Sequence, residues 1–515
     1  VQGTSLATIL NSERFSRLAG IAGFALVLFF ASLFLIWRPY SVPGPMMRDF
    51  EAYYAAGATW AAGGDPYSTQ IWNVERTVPG VDAARTEVLP FLGPPISLPF
   101  WAFLARFPFD VAAKLWGGVL GIAVVVIFLG SFRLAGRRLH WSDAVVVVTL
   151  SAAFSPLSYG FSLGQAALVA TAAMIAALWL VRFTQWPWSA LASWCAIVLK
   201  PNVTFVLLGL LRSRRGFFSL ASAAAVFALT NLVIAGGPNG IVRYVHALRG
   251  HTLAERWSFI QITPASIAYG LGLPGPWASM VGTIVTVVAI VVLMVVIHRT
   301  RASEIESAAL ACAALPFVSP FLHEHDLVVL ILPVMLCVHR TRGLLWAVGA
   351  IGAVFVATDW VAMTQGKIGG AYDFLVAIIV ALELVALSPH IRRPYRFAPF
   401  AVAVWALVVW AAAPSSGIPL WPGGLPPGFT VHLDQPVSSV WAAEQVAAGL
   451  ERVDPFAAVV RSFSLLGCGL VWCALGLALA RREPAWGRFG PSEVASQVRP
   501  ERRQRDARIP AQVDR

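Results

Sequence analysis

A carboxylate lying just beyond a membrane helix, on one face with a tyrosine, is suited to take a proton from a hydroxyl nucleophile. The stretch Met47-Arg48-Asp49-Phe50-Glu51-Ala52-Tyr53-Tyr54 has this pattern. Asp49 and Tyr53 are four residues apart and share a face if the stretch is a helix. Gly63-Gly64-Asp65-Pro66-Tyr67 then supplies turn chemistry, and Glu51 is a second carboxylate that could act as base. The same residues admit plainer roles. Asp49 can cap the helix, Glu51 can be a solvated face residue, and the tyrosines can form an aromatic belt at the membrane interface.

Two further places could do chemistry. His323-Glu324-His325-Asp326 sets four titratable residues at one end of an apolar run, and ionisable residues at such a depth are functional candidates. All three side-chain types can bind metal, but neighbours in sequence point in different directions, so no metal is expected. Lys200, one of three lysines, sits beside Pro201 within an apolar stretch. It is costly there without an anionic partner; a phosphate contact or snorkelling to the interface would each account for it. Arg256, next to Trp257 and near His246, Arg249 and His251, is a rival phosphate site.

The elements that must position these residues are membrane helices. Of 515 residues, 58% are hydrophobic and 12% charged, against about a quarter charged in soluble domains, and the mean hydropathy is +0.71. Apolar runs recur along most of the chain, among them Ile21–Trp37, Trp116–Phe132, Met280–Ile297 and Val459–Ala480. The expected class is an all-α polytopic membrane protein with about 12–14 crossings of about 20 residues each. Cys195, Cys312, Cys337, Cys468 and Cys473 all lie in apolar runs without metal-ligand spacing.

The net charge of +12 comes in short arginine clusters between apolar runs, which reads as topology rather than nucleic-acid binding. Placing those clusters in the cytoplasm gives an N-terminus at 1–17, a membrane domain at 18–480 and a basic, disordered cytoplasmic tail at 481–515. The first apolar run, near Leu18 behind Arg14 and Arg17, reads as a retained helix. The outward segments are then 38–112, 155–165, 200–202, 236–274, 319–326, 363–373 and 414–457. The first and last of these are long, and the first is expected to carry interfacial helices. Lys200-Pro201-Asn202 should split the run 187–211, and the Pro/Gly-rich stretches 89–105 and 259–273 should lie at the interface or re-enter. Among acids elsewhere, only Glu383 reads as deep in the membrane.

Arg48-Asp49-Phe50, Tyr53-Tyr54 and then Gly63 to Tyr67 resemble the first outer loop of family 87 glycosyltransferases, polyprenol-phosphate-mannose-dependent mannosyltransferases of the GT-C superfamily. Gly93-Pro94-Pro95, Gly164-Gln165-Ala166, Leu199-Lys200-Pro201, and Ser319-Pro320 with His323 to Asp326 follow in the family's order. The resemblance spans residues 20–340, with two departures. Gly93 stands where an aromatic is usual, and Phe259-Ile260-Gln261-Ile262 replaces an expected Asn-Gln-Ser.

The resemblance implies a GT-C-like bundle in the cytoplasmic (inner) membrane with its active site facing the periplasm or exterior. It implies inverting transfer of a sugar, with mannose expected, from a polyprenyl-phosphate donor to a lipid or glycan acceptor, with membrane lipids as surroundings and no cofactor. On that reading Asp49 is the base and Glu51 the fallback. Lys200, His323, His325 and Arg256 receive the donor phosphate, and Tyr53, Tyr54, Asp65, Gln165 and Gln261 bind sugar or acceptor. A lipid or lipid-linked-sugar transporter or flippase is the rival, against which stand the base-like acid in a long first loop and the absence of a visible repeat.

Overall fold

Where lipid offers no hydrogen-bond partners, a chain can satisfy its backbone only within itself, and long runs of Val, Ile, Leu and Ala do so as helices. The computed structural model describes residues 47–79, 87–136, 154–183, 185–365, 398–412 and 434–481, with parts of 377–385 and 425–432. Among the described residues every element is an α- or 3-10 helix, and none is a strand. Four helices are long and apolar enough to cross a membrane: Phe109–Leu134, Arg214–Ile234, Gly275–Thr300 and Pro455–Ala480. They contain three of the spans expected from sequence. Gly275–Thr300 exposes Ile284, Val287, Val288, Val291, Met294 and Val295, an apolar face fit for lipid.

Shorter apolar helices lie at Pro95–Leu104, Ala167–Arg182, Trp186–Leu199, Pro201–Arg212, Gly343–Ala357 and Ala398–Val409. The polytopic all-α class is therefore as read. Helix length alone does not set the number of crossings, because these pieces fall short of about 20 residues. Residues 1–46, including the expected first helix, and Glu383 and 482–515 lie outside the described residues.

The Arg48–Ala61 helix places Asp49 and Glu51 in its first turn, where negative charge complements the helix dipole. Its N-cap is Met47, in the left-handed region at φ 58°, with no side-chain cap. Asp49 is therefore not the cap that the plainer reading allowed. Glu51 is fully buried rather than solvated. Phe50 stacks on Trp116 at 6.3 Å between centroids and packs on Phe109 at 5.7 Å. This aromatic cluster pins the helix to Phe109–Leu134.

Three chain breaks bring polar residues to the same place. The Ser155–Leu163 helix stops at Gly164, whose φ is 75°, and a Cβ there would approach Met47 and Phe50 to 2.8 Å. Glycine thus meets both the conformation and the close approach, and Gln165 projects from the turn before Ala167–Arg182 begins. Trp186–Leu199 ends at Lys200 because Pro201 disfavours a helical conformation in the residue before it; the chain resumes as a 3-10 segment, Pro201–Arg212. The expected split of 187–211 is seen at this point. The third break, 319–323, precedes the 3-10 segment Glu324–Leu330.

A late segment closes over these breaks. Val437–Ala447 lies against Pro238–Ala254, with the Ser438 side chain at Gly250. Glu444 accepts the Val88 amide at 2.8 Å, Gln445 accepts the Ser258 hydroxyl at 2.8 Å, and the Leu450 carbonyl accepts the Phe259 amide at 2.7 Å. Residues 87–89 are tied down further by an Arg48–Glu87 ion pair and by Glu75, which accepts the Leu89 amide at 3.2 Å.

Candidate active site

Gln165 is the hub of the first half of the site. Its amide nitrogen donates to Asp49 Oδ2, and its carbonyl oxygen accepts from the Tyr53 hydroxyl at 3.1 Å and from Lys200 Nζ at 3.3 Å. Tyr53 is itself held flat on Trp101, with centroids 4.7 Å apart. The Lys200 ammonium pairs with Asp326 Oδ1 at 3.0 Å and lies 3.3 Å from His325 Nε2. Asp326 also accepts from the His323 amide at 3.2 Å and from Asn202 at 3.5 Å. Lys200 therefore has its anionic partner within the protein and is not a side chain reaching alone for the interface. His325 is buried, and its Nδ1 has no partner among the described residues.

Glu255 is the hub of the second half. Its Oε2 lies 2.9 Å from His323 Nε2 and 2.8 Å from Gln261 Nε2; its Oε1 accepts from Trp441 at 2.7 Å and lies 3.3 Å from His251 Nε2. His323 Nε2 and Gln261 Nε2 are 2.8 Å apart, so with the carboxylate ionised both nitrogens point their hydrogens at it. Gln261 also accepts the Leu322 amide at 2.9 Å, which fixes the segment entering His323. Arg461 of the Pro455–Ala480 helix donates to the Gln261 carbonyl at 3.2 Å.

Burial raises the pKa of Asp49, while the Gln165 bond and the charges of Arg48, His323 and Lys200 restrain the rise. Burial also opposes ionisation of Glu255, but His251 and His323, together with the bonds from His323 and Trp441, bring it down to about 2. For His323, burial disfavours the proton, and Glu255 with Asp326 more than reverses that, so its pKa is raised. Burial lowers His251 to about 4. The site thus holds one carboxylate kept basic, two kept ionised, Glu255 and Asp326, and one imidazole kept ready to carry charge.

The structure brings together Asp49, Tyr53, Gln165, Lys200, Gln261, His323 and His325 from the sequence reading. The others turn elsewhere. Tyr54 donates to the Phe107 carbonyl at 3.0 Å. Asp65 accepts the Tyr67 amide at 3.0 Å in its own turn, and Arg256 lies 4.8 Å over the Trp257 ring. Glu51, two residues from Asp49, cannot share its helical face. A Cβ on Gly93 would meet the Phe91 ring at 2.5 Å, so the space beside Gly93 is already filled by an aromatic side chain. His323 and His325 face different partners, and no three His, Cys, Asp or Glu side chains among the described residues group as metal ligands.

Glu255, Trp441 and Arg461 were not singled out in the sequence. Arg461 carries a usable signal, an ionisable residue inside an apolar helix. Glu255, beside Arg256 in a polar loop, carries none.

Comparison with curated proteins and with solved structures finds no match for this chain. Gln165, Lys200, Glu255 and Gln261 lie inside the segment matched by one family model, with Asp49 before it and His323 just after. Residues 91–320 match the model of glycosyltransferase family 87, so this segment of the membrane protein is similar to the glycosyltransferases of that family.

Proposed function

We propose that the protein transfers a sugar, mannose in the first instance, from a polyprenyl-phosphate donor to a hydroxyl of a lipid or glycan acceptor at the outer face of the cytoplasmic membrane. The observation carrying this reading is the link from Asp49 through Gln165 to Lys200. It sets a carboxylate with a raised pKa one side chain away from an ammonium. A base works best when its pKa approaches the working pH, and burial moves Asp49 in that direction.

In the transfer, the acceptor oxygen attacks the anomeric carbon while the bond from that carbon to the phosphate oxygen breaks on the opposite side, inverting the centre. The hydroxyl proton passes to Asp49, and the bonding electron pair leaves with the polyprenyl phosphate. Lys200, the protonated His323 and the unpartnered His325 Nδ1 are the groups available to meet the charge that develops there. Gln165 and Tyr53 orient Asp49 and line the sugar side, and Gln261 holds the entry to His323.

The test is incubation of the purified protein with synthetic polyprenyl-phosphate mannose and a membrane lipid extract, followed by mass spectrometry. A mannose-extended lipid with release of polyprenyl phosphate is expected from the native chain and not from folded Asp49→Asn. Equal product from both removes Asp49 as base. No release with any sugar donor tried turns the reading toward a transporter.

A further inference from the structure

Glu255 is a carboxylate with almost no access to solvent, on which four donor groups converge: His323, Gln261, Trp441 and His251. Desolvating a carboxylate is costly unless it is held ionised by such partners, so this arrangement exists for the charge. Three of the four partners are themselves fixed. Gln261 is held by the Leu322 amide, Trp441 sits on the late segment against Pro238–Ala254, and His251 stacks on Trp441 at 5.9 Å. His323 is the partner that reaches the Lys200–Asp326 group, through its own amide bond to Asp326 and its ring 5.3 Å from that of His325.

We propose that Glu255 is a positioning residue acting through His323. Its carboxylate, clamped by Trp441 of the late segment, orients the His323 ring and keeps it as the imidazolium that meets the departing phosphate. The inference rests on the transfer reading given above. It assigns the late segment a part in the site as well, since Trp441 and Gln445 bind the two ends of the 255–258 turn.

The charged and titratable groups facing His323 are Glu255 in front and His251 behind that carboxylate, Lys200 from the helix break, Asp326 and His325 from its own segment, and Asp49 from the Arg48–Ala61 helix. Glu255 is the one bonded to the ring. Removing its charge should therefore let His323 lose its proton at lower pH, by about one unit or more.

The experiment compares the native chain with E255Q and E255D in detergent, all checked for folding by thermal unfolding, using synthetic polyprenyl-phosphate mannose and lipid extract. For E255Q the alkaline limb of the kcat profile should move to lower pH, with a loss of about tenfold at neutral pH that shrinks as the pH is lowered. E255D, which keeps the charge one methylene further back, should shift the limb less and serves as the readout if E255Q does not fold. A loss of equal size at every pH, or an unmoved limb, overturns the proposal. Titration of the His323 ring by NMR of histidine-labelled protein, its signal assigned with H323Q, reads the same pair without turnover. If no protein turns over, the transfer reading fails, while an unchanged His323 titration in E255Q defeats the pairing separately.

Discussion

Asp49 and Glu255 are two carboxylates in one polar centre, and the protein treats them in opposite ways. Asp49 is half-buried, accepts a hydrogen bond from Gln165, and has its pKa raised by burial. Glu255 is buried more completely, yet it is surrounded by donors and is brought down to about 2. Burial pushes both upward, so the number and charge of the partners decide the outcome. A carboxylate short of donors is left basic and suits proton transfer, while one saturated with donors is a fixed charge that can orient something else. The contrast therefore separates base from support without reference to any substrate.

The sharpest way to break the comparison is Asp49→Asn. Losing a general base should cost about 100- to 10,000-fold in kcat, read as mannose-extended lipid, with the variant folded. The native profile should also have its acid limb above the ordinary carboxylate range. Asp49 has a raised pKa, so activity that needs its ionised form is present above that pKa and falls as pH drops through it.

Lys200→Met tests the ion pair inside the first half. It leaves Asp326, fully buried, without its ammonium, and breaking a buried pair from one side costs about 3–5 kcal/mol. Chemical unfolding should show that loss, and Lys200→Met with Asp326→Asn should recover part of it.

Gln165→Leu should reduce the rate about tenfold by misplacing the base, an effect of the size that lost positioning contacts produce. It also removes a bond that restrains the Asp49 pKa, so the acid limb should move to higher pH. A limb that stays in place would mean that Gln165 only fills space. The smallest effect should come from Tyr67→Phe, outside both halves. It loses one hydrogen bond to the Gly93 carbonyl, 2.8 Å long, worth about 1 kcal/mol of stability, with kcat unchanged.

Much of the architecture could be read from the residues. Runs such as Met280–Ile297 and Val459–Ala480 are helices because only internally bonded backbone suits lipid. The break at Lys200-Pro201 follows from the steric rule on residues before proline. Helix status for Arg48–Ala61 and a shared face for Asp49 and Tyr53 came from local periodicity, and the ordered motifs led to Gln165, Lys200 and His323. Local sequence could not say that Glu51 is buried, that Tyr54 turns to Phe107, or that Arg256 rests on Trp257. Those outcomes depend on which neighbour occupies the other side.

By itself the sequence determined that the chain is a helical membrane protein, where its helices break, and which polar residues stand at those breaks. These are consequences of hydrophobic run length, proline sterics and residue type, all local quantities. Tertiary structure alone decided the charge states and the partnerships. Asp326 neutralises Lys200 from 126 positions along the chain, and Trp441 reaches Glu255 across a separation of 186. A pKa is set by the groups within a few ångströms in space, and those groups come together only when distant helices pack.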